Sequence, residues 1–385
     1  WYTTTSTEIQ NTLSTSGGSC SGTFSDHHYS DGGHVGGASS WSGETAAYRS
    51  DLTADCGGSS TSFYFGDIVR GIGDTNGDGI HELLVASHRW LLDCSNSGRY
   101  YDGDHPSSVS LDGCSNHGGR AFIYNGRTGG LNTDHIATMR ADGSTDEFSS
   151  SVITDADFNG DGHNDLLVGI PYDDDGGDNA GALRLFSGSS IGMSESAMVT
   201  IDGTSDGENL GLYTYRFGAG DLNGDGYDDL VVGIPTDDTT GSDAGKIIVY
   251  MGTGAYLPSY ITTTLYGEVA SDRFGESVAV ADINGDGFAD VIVGAPNNDD
   301  GSTDAGKVYV FEGTADGMSE TASHGQYGAY SSENLGTRLY SLGDINGDGF
   351  EDVYMAGDTG DARVYHGDAS GITGTPDQTW SRTDL

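Results

Sequence analysis

A nine-residue pattern, D-x-N-G-D-G-x-x-D/E, occurs five times in this chain, at 74–82, 157–165, 221–229, 282–290 and 344–352. Each copy runs straight into a short apolar segment, such as Leu166-Leu167-Val168 or Val291-Ile292-Val293, with the length and β-branching of a buried strand. The first positions are 83, 64, 61 and 62 residues apart, so the chain repeats a unit of about 62 residues with one enlarged member. A chain built this way folds as a series of similar small β units.

The residue types in the pattern point to a hard cation. Calcium takes six to eight oxygen ligands, and carboxylates at alternate positions of a tight loop converge on one point. Positions 1, 3, 5 and 9 offer side-chain oxygens. They are Asp74, Asn76, Asp78 and Glu82 in the first copy, Asp157, Asn159, Asp161 and Asp165 in the second, and Asp221, Asn223, Asp225 and Asp229 in the third. The fourth copy supplies Asp282, Asn284, Asp286 and Asp290, and the fifth Asp344, Asn346, Asp348 and Asp352. The backbone carbonyl at position 7 (Ile80, His163, Tyr227, Phe288 or Phe350) adds one more oxygen, and glycines at positions 4 and 6 permit the left-handed backbone such a turn requires. An EF-hand would place its bidentate acid at position 12 inside a helix, whereas position 12 here is Val85, Val168, Val232, Val293 or Met355. Asp, Asn and Gly also favour metal-free turns, but five matched copies argue for about five Ca²⁺.

Around each loop a fuller unit recurs. Upstream lies an aromatic or Leu followed by a small residue: Phe65-Gly66, Phe148-Ser149, Leu210-Gly211, Phe274-Gly275 and Leu335-Gly336. After the loop, the middle three copies read Val-Gly-Ile-Pro or Val-Gly-Ala-Pro, then an acidic stretch, then a Gly-led strand closed by Gly (119–126, 181–188, 245–252, 306–313 and 360–367 across the five copies). With these elements the chain resembles the FG-GAP repeat family, found in the head of integrin α subunits and in related bacterial and archaeal surface proteins. The resemblance spans roughly residues 63–367; His88 in place of the proline, and Ala356-Gly357 with a short loop, depart from it in the first and last copies.

The resemblance implies an all-β fold, a β-propeller of four-stranded antiparallel blades, with the calcium loop joining strands 1 and 2. Outer strands are expected near 259–266 and 135–141, and the tail from Thr375 either completes the fifth blade or pairs with the N-terminus. Residues 1–62 form an arm or a degenerate further blade, residues 63–385 the propeller, and closure with six or seven blades stays open. The surplus in the first spacing is an insertion at about 90–118.

Four cysteines permit three pairings, of which Cys20 with Cys56 and Cys94 with Cys114 is favoured, the second stapling the insertion. Disulfides and calcium loops both suit an extracellular or cell-surface setting. No apolar run is long enough to span a membrane as a helix. A formal net charge of −44 excludes nucleic acid as an ordinary partner. Five divalent ions would leave it at about −34; the remaining acids cluster in the hairpins after the second strand.

Enzyme signatures are missing: there is no G-x-S-x-G, H-E-x-x-H or P-loop. His27, His28 and His34 lie beside Asp26 and Asp31 in a Gly-rich segment that reads as a solvated loop. Trp90, Arg99, Tyr100, Tyr101 and His105 in the insertion are of the types enriched at binding hot spots. With the blade-connecting loops near Asp146, Glu208, Asp272 and Glu333, they are the candidate surface for a protein or glycan partner. The function expected is a non-catalytic adhesion or surface-structure module. The alternatives are a self-assembling filament or sheath subunit that adds its N-terminal strand to a neighbour, and a carbohydrate-binding module or hydrolase.

Overall fold

The computed structural model describes residues 14–15, 20–21, 68–87, 119–128, 130–132, 135–140, 146–254, 263–359, 361–372 and 374–380. Apart from one 3-10 turn at Thr214–Arg216, the regular structure in these residues is β. The four cysteines' side chains, the five candidate partner-binding residues of the insertion and the three clustered histidines lie outside the described residues. From the N-terminal segment only a two-residue ladder, Ser14–Thr15 with Cys20–Ser21, is described.

Five four-stranded antiparallel sheets follow one another along the chain, each a simple meander. Sheet I contains Ile68–Gly71, Leu83–Ser87, Arg120–Tyr124 and Ala137–Arg140. Sheet II contains Ser151–Ala156, Asp165–Ile170, Ala182–Phe186 and Val199–Asp202. Sheet III contains Phe217–Gly220, Asp229–Ile234, Lys246–Tyr250 and Thr263–Tyr266. Sheet IV contains Ser277–Ala281, Asp290–Ala295, Lys307–Phe311 and His324–Tyr327. Sheet V contains Arg338–Gly343, Asp352–Ala356, Ala362–Tyr365 and Gln378–Trp380. The tail thus completes sheet V rather than leaving it.

The order of the strands explains their composition. In sheets II, III and IV every residue of the second strand is buried, so these strands are continuous Leu, Val and Ile runs. Fourth strands are outer edges: Val199–Asp202 alternates buried and exposed, and Gln378–Trp380 is exposed throughout. Because alternate side chains leave a strand on opposite faces, sheets II, III and IV each contribute to two cores. Leu166 and Val168 pack toward Leu84 and Ile123 of sheet I, while Leu167 packs toward Leu230 and Val232 of sheet III. Val231 and Val249 meet Val293 and Phe311 of sheet IV, whose Ile292 and Val310 meet Val353 and Met355 of sheet V. Sheets therefore stack face to face in chain order, with first strands of neighbouring sheets in contact from sheet II to sheet V.

Backbone contacts sew each neighbouring pair together, and they explain the small residues of the repeat. Leu210, Phe274 and Leu335 donate their N–H groups to Ala180, Ala244 and Ala305, just before the third strand of the preceding sheet, at 2.9–3.0 Å. The Gly of each Val-Gly-Ile/Ala-Pro element sits under the carbonyl of the next repeat's Leu-Gly or Phe-Gly. A Cβ on Gly169, Gly233 or Gly294 would lie 2.3, 2.1 or 2.0 Å from the oxygens of Gly211, Gly275 and Gly336. The two halves of the repeat motif are complementary surfaces of adjacent sheets.

The blade-connecting acids turn out to be internal ties. Asp146, Asp272 and Glu333 are buried. Asp272 accepts a hydrogen bond from Asn298 Nδ2 at 2.7 Å, Glu333 pairs with Arg363, and Glu208 accepts the Thr204 and Ser205 amides. Each of these connections turns back on the hairpin of the sheet it enters, where Asp272 and Glu333 meet the Asn298 amide and the Arg363 guanidinium.

Candidate metal centres at the acidic loops

All five acidic loops join strand 1 to strand 2 of a sheet, at one end of the stack, and they share one internal geometry. The glycines at positions 4 and 6 have φ between +68° and +95° in every copy, a region a side chain enters only with strain. That path turns successive backbone amides inward onto the side chain of position 1. In the third loop, Asp221 Oδ1 accepts from Gly224 and Asp225 at 2.6 and 3.1 Å, and Oδ2 from Gly226 at 2.8 Å. Position 3 then accepts the position 5 amide at 2.8–2.9 Å in all five loops. Position 5 in turn accepts the position 7 amide at 2.8–3.0 Å.

Position 9 behaves differently because it opens the second strand and is buried. Asp229 Oδ2 accepts from Leu222 at 2.9 Å and Oδ1 from Gly252 at 2.6 Å, so one carboxylate brackets the start of its loop to the glycine that closes the third strand. Asp165, Asp290 and Asp352 repeat this with Phe158 and Gly188, Ile283 and Gly313, and Ile345 and Gly367. In the first loop the longer Glu82 takes both the amide and hydroxyl of Thr75, with Asn76 Nδ2 on its other oxygen.

Burial pushes the Glu82, Asp165, Asp229 and Asp290 carboxyls up, with the charges of their loop mates adding to it. Asp165 rises to about 6, and Asp229 and Asp290 to about 7, each with its own position 1 and position 5 carboxylates as the charged neighbours. For Asp74, burial also pushes upward, but the amides of Gly79, Gly77, Asp78 and Asn76 outweigh it and hold the carboxyl below its usual range. Asp344 is held low by the Gly349 amide above all.

These shifts give a signed prediction. Asp165, Asp229 and Asp290 bind protons more tightly folded than unfolded. Their contribution to metal-free stability is therefore fully present below about pH 3.8 and lost as pH rises through about 6 to 7. Thermal melts in chelator are expected to show lower stability at pH 8 than at pH 5; a rise over that interval would contradict the account.

The donor set fits a hard divalent cation. It contains only oxygen, it gathers three carboxylates whose mutual repulsion is visible in the raised position 9 groups, and it is cradled where a Cβ would strain the turn. Among the described residues no three His, Cys, Asp or Glu side chains stand close enough to form a finished metal cluster; positions 1 and 5 are turned onto loop amides. A cavity of about 270 Å³ beside the first loop is lined by Asn76, Asp78 and Asn125, with Ser190, Ile191 and Gly192 from the third-to-fourth-strand connection of sheet II.

Sequence reasoning missed the bracket partners, namely the position 2 amides and the closing glycines. A signal for them was present: a Gly follows position 9 by 23 residues in the second, third and fourth repeats.

Antiparallel four-stranded sheets joined in series, each opening its second strand with an Asp-Gly loop, define a repeat protein of the propeller-blade class. The FG-GAP repeat profile matches residues 148–186, 213–250 and 274–311, the three copies with the full Val-Gly-x-Pro element. The chain is 35% identical over 179 residues to integrin alpha-4 of Xenopus laevis, covering 44% of this chain and 17% of that protein. It is 32% identical over 198 residues to integrin alpha-PS2 of Drosophila melanogaster, covering 48% and 13%. It is 28% identical over 232 residues to integrin alpha-5 of Xenopus laevis, covering 57% and 21%. Three of its five repeats are thus FG-GAP repeats, and over that part the chain is similar to integrin α subunits. The matches span about a fifth or less of those integrins' own length.

Proposed function

We propose that this chain is a non-catalytic, extracellular β-propeller stabilised by calcium at its five acidic loops, which presents loops on its opposite end to a protein or glycan partner in adhesion. The observation that carries this reading is the repetition of one geometry. Five oxygen-only loops, each backed by a buried position 9 carboxyl, sit at the same joint of five stacked sheets. Integrin α relatives are cell-surface proteins, and no helix among the described residues is long and apolar enough to cross a membrane.

Calcium acts here as scaffold. The position 1 and 5 side chains would turn from loop amides toward position 9, and the cation would offset three carboxylates that otherwise repel. Binding only the folded state, it raises stability by mass action. Asp286→Ala removes a position 5 carboxylate that accepts the Phe288 amide, whereas Asp299→Ala removes only an acceptor for the Asp304 amide in a hairpin. In saturating calcium the first is expected to lower the melting temperature several times more than the second; equal shifts would sink the assignment of these loops. The filament alternative rests on residues 1–62. Removal of residues 1–15 tests it, since it predicts loss of polymer with the monomer's melt unchanged.

A further inference from the structure

The loops are not separate sites set side by side. In four successive junctions the position 8 amide of one loop donates to the position 1 carbonyl of the loop before it. The bonds are Asn164 to Asp74 at 3.4 Å, Asp228 to Asp157 at 3.1 Å, Ala289 to Asp221 at 2.8 Å and Glu351 to Asp282 at 3.0 Å. At the same junctions the position 7 side chain covers the position 4 glycine of the preceding loop. A Cβ on Gly77, Gly160, Gly224 or Gly285 would lie 2.5–2.8 Å from the ring of His163, Tyr227, Phe288 or Phe350, while Gly347 in the last loop has nothing within 4 Å. Two junctions carry an additional bond, from the Asp157 amide to Asp228 Oδ2 at 2.7 Å and from the Asp282 amide to Glu351 Oε2 at 3.0 Å.

Two peptide units therefore connect each loop's metal position to the next. The carbonyl of position 7 is the oxygen a loop offers its own cation, and the N–H of that same peptide is the position 8 donor to the preceding loop. The accepting carbonyl belongs to the peptide whose N–H, at position 2, holds the preceding loop's position 9 carboxylate, as Leu222 holds Asp229 at 2.9 Å. A planar amide polarised at its oxygen becomes a better donor, and hydrogen bonds in series strengthen one another. Order gained in one loop also spares the next part of its ordering entropy.

Resting on the calcium reading above, we propose that the five loops bind cations as a coupled series, in which residues 7 and 8 of each loop position the preceding loop for binding. Coupling between neighbouring sites is reciprocal, and the position 7 rings act across the junction rather than on their own site. His163, Tyr227, Phe288 and Phe350 are positioning residues for the first, second, third and fourth loops respectively.

The test is a calcium chloride titration of the chelator-treated full chain, read residue by residue by amide NMR at the position 6 glycines, each of which donates to its own loop's position 1 carboxylate. In Asp286→Ala, Gly287 is expected to stop titrating and the Gly226 and Gly349 midpoints to move to roughly fivefold higher calcium or more, a typical coupling between sites. In Phe288→Ala, Gly226 shifts by more than Gly287. Unchanged Gly226 midpoints in both variants, or Gly287 moving as far as Gly226 in Phe288→Ala, would overturn the coupled series. Absence of any titrating glycine in the unsubstituted chain would instead overturn the calcium reading on which it rests.

Discussion

Asp229→Ala is expected to cost about 2–4 kcal/mol of stability, among the largest losses of any single side chain here. The carboxylate is fully buried and accepts two buried amides, from Leu222 and Gly252, that have no water to turn to. Each orphaned donor costs about 1–3 kcal/mol, and relief of a buried, repelled charge returns part of that. An exposed Asx turn such as Asp238 to the Asp243 amide provides the comparison, with an expected loss of about 0.5–1 kcal/mol. Asp229→Asn sharpens the test. It keeps an acceptor for one amide and removes the charge, so it is milder than alanine in chelator and nearly as severe in calcium. Denaturant melts of the three variants in both conditions decide the matter; equal losses for Asp229→Ala and Asp238→Ala would show that the bracket is not a major tie.

Gly233→Ala is expected to be comparably severe, at about 3 kcal/mol, for a reason unrelated to charge. Its backbone needs no special φ. The added methyl would stand 2.1 Å from the Gly275 oxygen and 2.9 Å from its carbon, both backbone atoms of the next sheet, so sheet III and sheet IV would have to separate. Gly71→Ala is the matched control, a strand glycine with nothing within 4 Å of the new carbon, and it is expected to be near neutral. A mild Gly233→Ala would mean that the sheets slide past one another more freely than their stitched backbones imply.

Much of this architecture was legible because two periodicities coincide. The 62-residue spacing located the sheets, and the change from Asp-Gly turns to Leu-Val-Ile runs located loops and second strands. Gly-led third strands were legible for the same reason: each is capped by glycines that the neighbour's backbone forces to remain small. Outer strands lie where they were expected: Thr263–Tyr266 falls within 259–266, and Ala137–Arg140 within 135–141.

What sequence could not show is which groups meet across sheets. Asp228 and Glu351 occupy a variable position of the loop, filled elsewhere by His81, Asn164 and Ala289, so nothing in their own repeat singles them out; their role comes from the loop before. The same holds for the aromatic residues at position 7, which read as bystanders to a backbone carbonyl until the glycine beneath each ring is seen. Asp272 and Glu333 likewise gain their partners, Asn298 and Arg363, only from the folded hairpins.

The central claim is that five acidic loops form a metal scaffold, and its most direct test is calcium titration by calorimetry on chelator-treated protein, with the melting temperature followed in parallel. The account predicts about five ions per chain and a large rise in melting temperature. Each site contributes on the order of 2.7 kcal/mol when calcium is a hundredfold above its dissociation constant. Little or no binding, with a melting temperature indifferent to calcium, would contradict it and leave the five loops as hydrogen-bonded turns.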